Sequence, residues 1–437
     1  MLELGAQYDK SLVKEADITP GLFKPNYNRG IHMVLPTALS FLGFNLPEVK
    51  YPSLSDVKSI KKTMENNTCF DADKIIMIVT DSVGIEQFQK FRLLPKAHES
   101  LGGLQLSSVF PTITSTALAS IHLAASPGIH GVFGHKIFFK ELGAVVDTLK
   151  MSTLSFPFRD ALVRVGIDAR ALTYCDSPYD LVEQQGIRHV ELLEDEIAGT
   201  GLSNMIYRRQ VAHGFSNLID AFSTAKTLLE EESNKKLIVN LYTGILDSLS
   251  HKYGPLSDEY SLGARHLEEN MKRLIVSVRD SVAERTTFIF LSDHGQDTIH
   301  PDLEITFTKD ELDELGRFLR APIGKSGRVL HFYAKKGFED QLRRALNNKV
   351  ENRGYVITFE EAIKNFIGRT PNLEMSRLRL GDFLLVLKKG VNAEIKKSEP
   401  PNGWKDQFLG SHGSATLSEM IVPFIAVRLS RLKQCIT

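Results

Sequence analysis

Three short apolar runs punctuate the chain: Ile75-Ile76-Met77-Ile78-Val79, Leu237-Ile238-Val239-Asn240-Leu241 and Phe288-Ile289-Phe290-Leu291. Their apolar character is continuous rather than alternating, which predicts strands buried on both faces. Between the last two, Leu267, Met271, Leu274, Ile275, Val278 and Val282 recur at three- and four-residue spacing, with Arg, Glu and Lys on the other side. That spacing predicts a helix with one apolar face. Strands alternating with helices predict an α/β fold built on a mostly parallel sheet flanked by helices on both faces. Ligands of such sheets bind beyond the carboxyl ends of the strands.

Punctuation and charge divide the chain further. Residues 1–70 read as an irregular N-terminal arm, broken at Pro20-Gly21, Lys24-Pro25 and Leu46-Pro47. Residues 71–310 form the first part of the α/β core. Residues 311–397 mix short strands (Val329–Tyr333, Phe383–Leu387) with charged helices (Asp340–Asn348, Phe359–Phe366), and are expected to be a small inserted α/β subdomain. Residues 398–437 close the core with a last strand, Ile421–Val427, in which Pro423 favours the strand start or a sheet edge.

Composition excludes several classes. The 437 residues suffice for a large core, and 53 Lys+Arg balance 53 Asp+Glu, so no nucleic-acid partner is expected. Cys69, Cys175 and Cys435 are far apart and form no CxxC pair, which argues against disulfides and thiolate metal sites. Met1–Lys10 lacks a basic patch followed by an apolar run, and Ile31–Leu46 is interrupted by Pro36 and too short to span a bilayer. The expectation is a cytoplasmic protein without membrane binding; oligomeric state is not legible.

Each buried run is followed by polar side chains able to bind metal. Asp81 follows the first; alone, an Asp there is commonly a turn former or cap. Asp247 and His251 follow the second at a spacing that shares one helical face. Asp293-His294-Gly295 follows the third, with Gly295 expected to permit a sharp turn. His412 sits in the glycine-flanked loop Gly410-Ser411-His412-Gly413-Ser414. Oxygen and nitrogen donors without thiolate suit Zn, Mn or Fe(II), and two such ions about 3.5–4 Å apart can support an in-line displacement. The hydroxyls of Thr112, Thr114, Ser115 and Thr116 lead into a helix-like stretch, where one can cap the helix and another can act as a nucleophile.

In their order along the chain, from about Asp73 to Val427, these motifs resemble the alkaline phosphatase superfamily, in particular its type I phosphodiesterase/nucleotide pyrophosphatase branch. The resemblance implies an alkaline-phosphatase-like fold whose catalytic core holds two divalent metal ions, normally zinc. Asp81, Thr114, Asp293 and His294 would hold one, and Asp247, His251 and His412 the other. Thr114 would be the nucleophile because it lies three residues after Pro111, passing through a phosphothreonine. The implied substrate is a small phosphodiester or pyrophosphate, of nucleotide type. Ser126-Pro127-Gly128-Ile129-His130-Gly131 resembles the family's P-x-x-HG segment, whose His is structural.

One departure bears on substrate. Where the family carries an Asn that holds phosphoryl oxygens, this chain has His135, followed by Lys136. His135 would take the substrate-binding role. A phosphomonoesterase or phosphonate hydrolase is the close alternative, favoured if His135, Lys136 or Arg328 reached the phosphate. A non-catalytic binding protein that keeps the fold is the alternative from another class. Ser155-Phe156-Pro157-Phe158-Arg159 loosely fits a sulfatase pattern and Gly324-Lys325-Ser326 the end of a Walker loop; both are set aside, since Phe158 replaces a small residue and Leu319 replaces the first glycine.

Overall fold

The computed structural model describes residues 7–94, 103–207, 211–232, 235–396 and 408–436. Its centre is a seven-stranded sheet in the order Leu104–Ser107, Ile421–Arg428, Thr286–Ser292, Lys74–Thr80, Leu237–Thr243, Arg188–Glu194, Val211–Phe215. All pairings are parallel except those of Ile421–Arg428, which runs antiparallel to both neighbours. Pro423 sits near the start of that strand, before pairing with Thr286–Ser292 begins at Phe424, so its missing N–H breaks no bond to that neighbour.

Side chains of the central strands alternate between two cores. Ile75, Met77 and Val79 enter one; Ile76 and Ile78 enter the other. The second core is closed by Leu218–Glu230 and Asp258–Ser277, the latter burying Leu267, Met271, Leu274 and Ile275. The predicted helical run stops at Val278, whose ψ of 134° breaks the helix, and Val282 falls in the separate short helix Asp280–Ala283. The first core is closed by Thr114–Leu123, which is buried along its whole length.

That first core also takes in the N-terminal segment. Leu12, Leu22, Ile31, Leu35, Leu39 and Phe41 are buried in it, and Val34–Phe41 is a helix with Pro36 in its first turn, where a missing N–H costs little. The described part of 1–70 is therefore packed structure, because its apolar side chains find the face of the sheet. Among the described residues no helix is long and apolar enough to cross a membrane.

A second seven-stranded sheet, antiparallel throughout, has the order Gly354–Thr358, Phe383–Leu387, Val329–Phe332, Gly324–Ser326, Lys136–Phe139, Ala144–Asp147, Ser152–Thr153. It contains the strands expected within 311–397, but three of its strands come from residues 136–153. The join is the pairing of Lys325 with Lys136.

Candidate active site

The register of the central sheet builds the site. Thr80 pairs with Thr243 on one side and with Ser292 on the other, so three strands end at one level. Asp81 and Asp293 are the first residues beyond two of those ends. Asp247 lies in the first turn of the helix Ile245–Tyr253, which begins just past the third, and His251 follows one turn later. Gly410–Ser411 pairs with Asp297–Thr298 and so returns His412 to the same edge.

The donors form two groups, Asp81/Asp293/His294 and Asp247/His251/His412, each with its ligand atoms within 4.8 Å of one another. His294 Nε2 is 3.4 Å from Asp81 Oδ1 and from Asp293 Oδ2. Asp247 Oδ1 is 3.3 Å from His251 Nε2 and 3.5 Å from His412 Nε2. All three imidazoles place Nδ1 against a main-chain carbonyl: His251 on Gly410 at 2.8 Å, His412 on Thr112 at 2.9 Å and His294 on Gly295 at 3.1 Å. A carbonyl only accepts, so Nδ1 carries a proton and Nε2 is the nitrogen turned toward the carboxylates, the one that would bind a metal.

The electrostatics fit the same role. Burial, then the neighbouring Asp293 and Asp247 charges, hold Asp81 well above the usual carboxylate range, and burial raises Asp293 as well. Burial, then His294 and His251, hold His412 well below the usual imidazole range, so it is neutral. Asp293 Oδ2 is buried with no hydrogen-bond partner. Three clustered carboxylates with an orphaned oxygen and three imidazoles are a donor set that divalent cations would satisfy.

Further residues support the donors. Tyr242 donates its hydroxyl to Asp81 Oδ2 at 2.5 Å, burial keeping the phenol protonated. Ser82, at a left-handed φ of 62°, donates to Asp247 at 2.8 Å and also lies 3.2 Å from Asp81. Gln296 donates to Asp247 at 2.6 Å. None of these three was singled out from sequence. Strand periodicity could have found Tyr242, which sits one residue before the strand end. Gly295 is required for a different reason than expected: its φ is not left-handed, but a Cβ there would lie 2.0 Å from the Ser418 carbonyl oxygen.

Geometry separates the hydroxyls. Thr114 Oγ1 lies 3.3 Å from Asp81 Oδ2 and 3.3 Å from His294 Nε2, at the first residue of the helix Thr114–Leu123. Thr112 is used up locally, donating to the Ser414 carbonyl at 2.7 Å and accepting from the Gly413 N–H at 3.0 Å. Ser115 and Thr116 hydroxyls are buried and touch neither donor group.

Thr114 opens on a cavity of about 370 Å³ that also meets Asp81, Asp247, His251 and His412. His135 lines it and accepts from the Ser115 N–H at 3.4 Å; burial pushes its imidazole down to about 3. Lys136 turns out to a separate cavity, and Arg328 is buried between Asp297 and Glu419 at 2.5 and 2.9 Å, so neither reaches Thr114. His130 is buried against Ser120 Oγ at 2.8 Å and the Val132 N–H at 3.0 Å, a structural position. Gly324–Ser326 is a strand of the second sheet.

Over residues 75–415 the chain matches the family described as type I phosphodiesterase / nucleotide pyrophosphatase. It is 28% identical over 182 residues to human ectonucleotide pyrophosphatase/phosphodiesterase family member 7, a stretch that spans 34% of this chain and 39% of that relative. Its fold is similar to murine ectonucleotide pyrophosphatase/phosphodiesterase 5, with a TM-score of 0.60 at 15% identity, covering 83% of this chain and 93% of that one. An inactive Thr-to-Ala variant of that murine protein, in complex with AMP, matches at a TM-score of 0.59, again at 15% identity and with the same coverage. Phosphonoacetate hydrolase from Sinorhizobium meliloti matches at a TM-score of 0.57 and 16% identity, covering 83% of this chain and 94% of that one. The chain belongs to the type I phosphodiesterase/nucleotide pyrophosphatase family.

Proposed function

We propose that this protein is a two-metal hydrolase of phosphoric esters or anhydrides that works through Thr114. The observation that carries the proposal is the position of Thr114 Oγ1, 3.3 Å from donors of the first group and open to the shared cavity. Two divalent ions, normally zinc in the superfamily, would supply charge neutralisation at the phosphoryl oxygens and make the Thr114 hydroxyl easier to deprotonate. Asp81, Asp293 and His294 would hold one, with Thr114 beside it; Asp247, His251 and His412 would hold the other.

Thr114 Oγ1, having lost its proton, forms a bond to phosphorus while the bond to the leaving oxygen breaks. Water then attacks phosphorus from the side the leaving group vacated, releases threonine and yields the phosphorylated product. The N-terminus of the Thr114–Leu123 helix directs its positive end at the phosphoryl group. The Ser115 N–H, which donates to His135 at 3.4 Å, lies beside Thr114, and in this reading the two would orient non-bridging oxygens.

A phosphodiester or pyrophosphate of nucleotide type is the substrate class this reading favours. The cavity wall contains Leu118, Leu149, Leu193 and Tyr207, a surface for an organic substituent. Lys136 and Arg328, which would have suited a monoester dianion, lie elsewhere, and His135 is neutral. The AMP bound by the murine relative is consistent with a nucleotide product, and the phosphonoacetate hydrolase keeps phosphonate cleavage as the second reading.

A panel of p-nitrophenyl mono- and diesters, run on metal-loaded protein, tests the proposal. Hydrolysis of diesters ahead of monoesters is expected. No hydrolysis of any ester, with fewer than two ions bound per chain, would instead identify a non-catalytic binding protein.

A further inference from the structure

The wall of the cavity carries a charge that the chemistry at Thr114 leaves unused. Arg159 lines the same cavity as Thr114, Asp81 and His135. It is partly buried, and among the described residues it makes no ion pair; its one hydrogen bond is a long one, from Nη1 to the Leu149 carbonyl at 3.5 Å. Its position is built rather than incidental. Gly201 has φ +50° and ψ −125°, and a Cβ there would come within 2.0 Å of the Leu149 oxygen and 3.3 Å of Arg159 Nη1. The turn is held by the Gly201 N–H donating to Asp160 Oδ1 at 2.6 Å. The missing side chain leaves room for the guanidinium to lie over the turn.

Glu194, the carboxylate in this wall, is occupied elsewhere. Its Oε1 accepts from the Gly244 N–H at 3.0 Å and from Thr243 Oγ1 at 3.3 Å, which ties it to the neighbouring strand end. A partly buried guanidinium that makes no ion pair among the described residues, on a wall where Leu149, Leu193 and Leu202 stand beside it, favours an anion that arrives with the ligand.

Resting on the phosphohydrolase reading, we infer that Arg159 receives a second anionic group of the substrate, a phosphate or a carboxylate, joined to the phosphoryl group held at Thr114. The substrate class is thereby narrowed to phosphoanhydrides and phosphonocarboxylates, in preference to diesters whose substituents are uncharged. Arg159 is a specificity-determining residue in this scheme and touches no reacting atom.

The test is calorimetric binding to the zinc-loaded protein of three non-hydrolysed probes: methylphosphonate, methylenediphosphonate and β-phosphonopropionate, whose longer arm leaves the C–P bond without a carboxylate-stabilised carbanion to release. The wild-type protein is expected to bind at least one of the two doubly anionic probes more tightly than methylphosphonate. Arg159→Ala should reduce that preference by roughly tenfold or more, and Arg159→Lys should restore part of it. Which doubly anionic probe loses affinity tells whether the second group is a phosphate or a carboxylate. Equal weakening of all three probes would mean that Arg159 holds the scissile phosphoryl group or merely shapes the wall, and either overturns the inference, as does an unchanged preference. Because binding is the readout, a wild-type protein that hydrolyses no ester would sink the catalytic reading while Arg159 is still judged.

Discussion

The imidazole of His412 lies against that of His294, with ring centroids 4.0 Å apart and planes 18° apart. The two belong to different donor groups, so this stack is the seam along which the two groups meet. Two imidazolium rings at that distance would repel, and burial already keeps His412 neutral. His412 therefore faces Asp247 as a neutral ring.

His412 is expected to control one metal and not the other. In His412→Ala, bound metal should fall from about two ions per chain to about one, because Asp81, Asp293 and His294 keep their own geometry. Elemental analysis after exhaustive dialysis measures it. A variant that retains two ions rules out the assignment.

Thr114→Ala should lower turnover by roughly 10³ or more while both ions stay bound, since six side chains other than Thr114 supply the donors. Thr114→Ser should keep part of the activity. Rates near wild type in the alanine variant would remove Thr114 from the mechanism.

Gly295→Ala tests the packing behind the first donor group. A Cβ at Gly295 would sit 2.0 Å from the Ser418 oxygen and 2.6 Å from the Gly84 Cα, so one of these backbones must move, and His294 is the adjacent residue. Overpacking of this kind costs about 1–3 kcal/mol. Denaturant midpoints should drop accordingly and metal affinity should weaken. An unaltered midpoint would show that the loops yield freely.

Stability should fall in mild acid even without metal. His32, His130 and His331 lie outside the donor groups and are buried, and burial pushes His32 and His331 down to about 4 and His130 to about 3. Their folded-state values lie below the value of about 6.5 expected when unfolded. Their contribution is therefore complete above that unfolded value and is lost as pH falls toward the folded ones. Each adds a slope of up to about 1.4 kcal/mol per pH unit within that window. Urea unfolding with chelator present, at about pH 7.5 and about pH 5, should give a clearly lower midpoint in acid; equal midpoints would contradict it.

The sequence by itself determined the three buried strands and the candidate ligands that follow them, because burial on both faces leaves a continuous apolar run and a strand end is a local event. Asp81, Asp247, His251, Asp293 and His294 were legible this way, as chemistry-bearing types at the close of a pattern, and His412 by its glycine-flanked loop. Tertiary structure alone decided the rest. The equal register of Thr80, Thr243 and Ser292 sets the distances between donors, and no local pattern encodes register between parallel strands separated by long crossovers. Tyr242, Ser82 and Gln296 gained their places through side chains reaching across that register. Lys136–Phe139 joined Gly324–Ser326 through a pairing between distant residues, and Arg159, set aside as part of a chance motif, was carried into the cavity wall by the Gly201 turn. Contacts of that range are set by which surfaces pack together, and a linear pattern records only that a surface is apolar, not its partner.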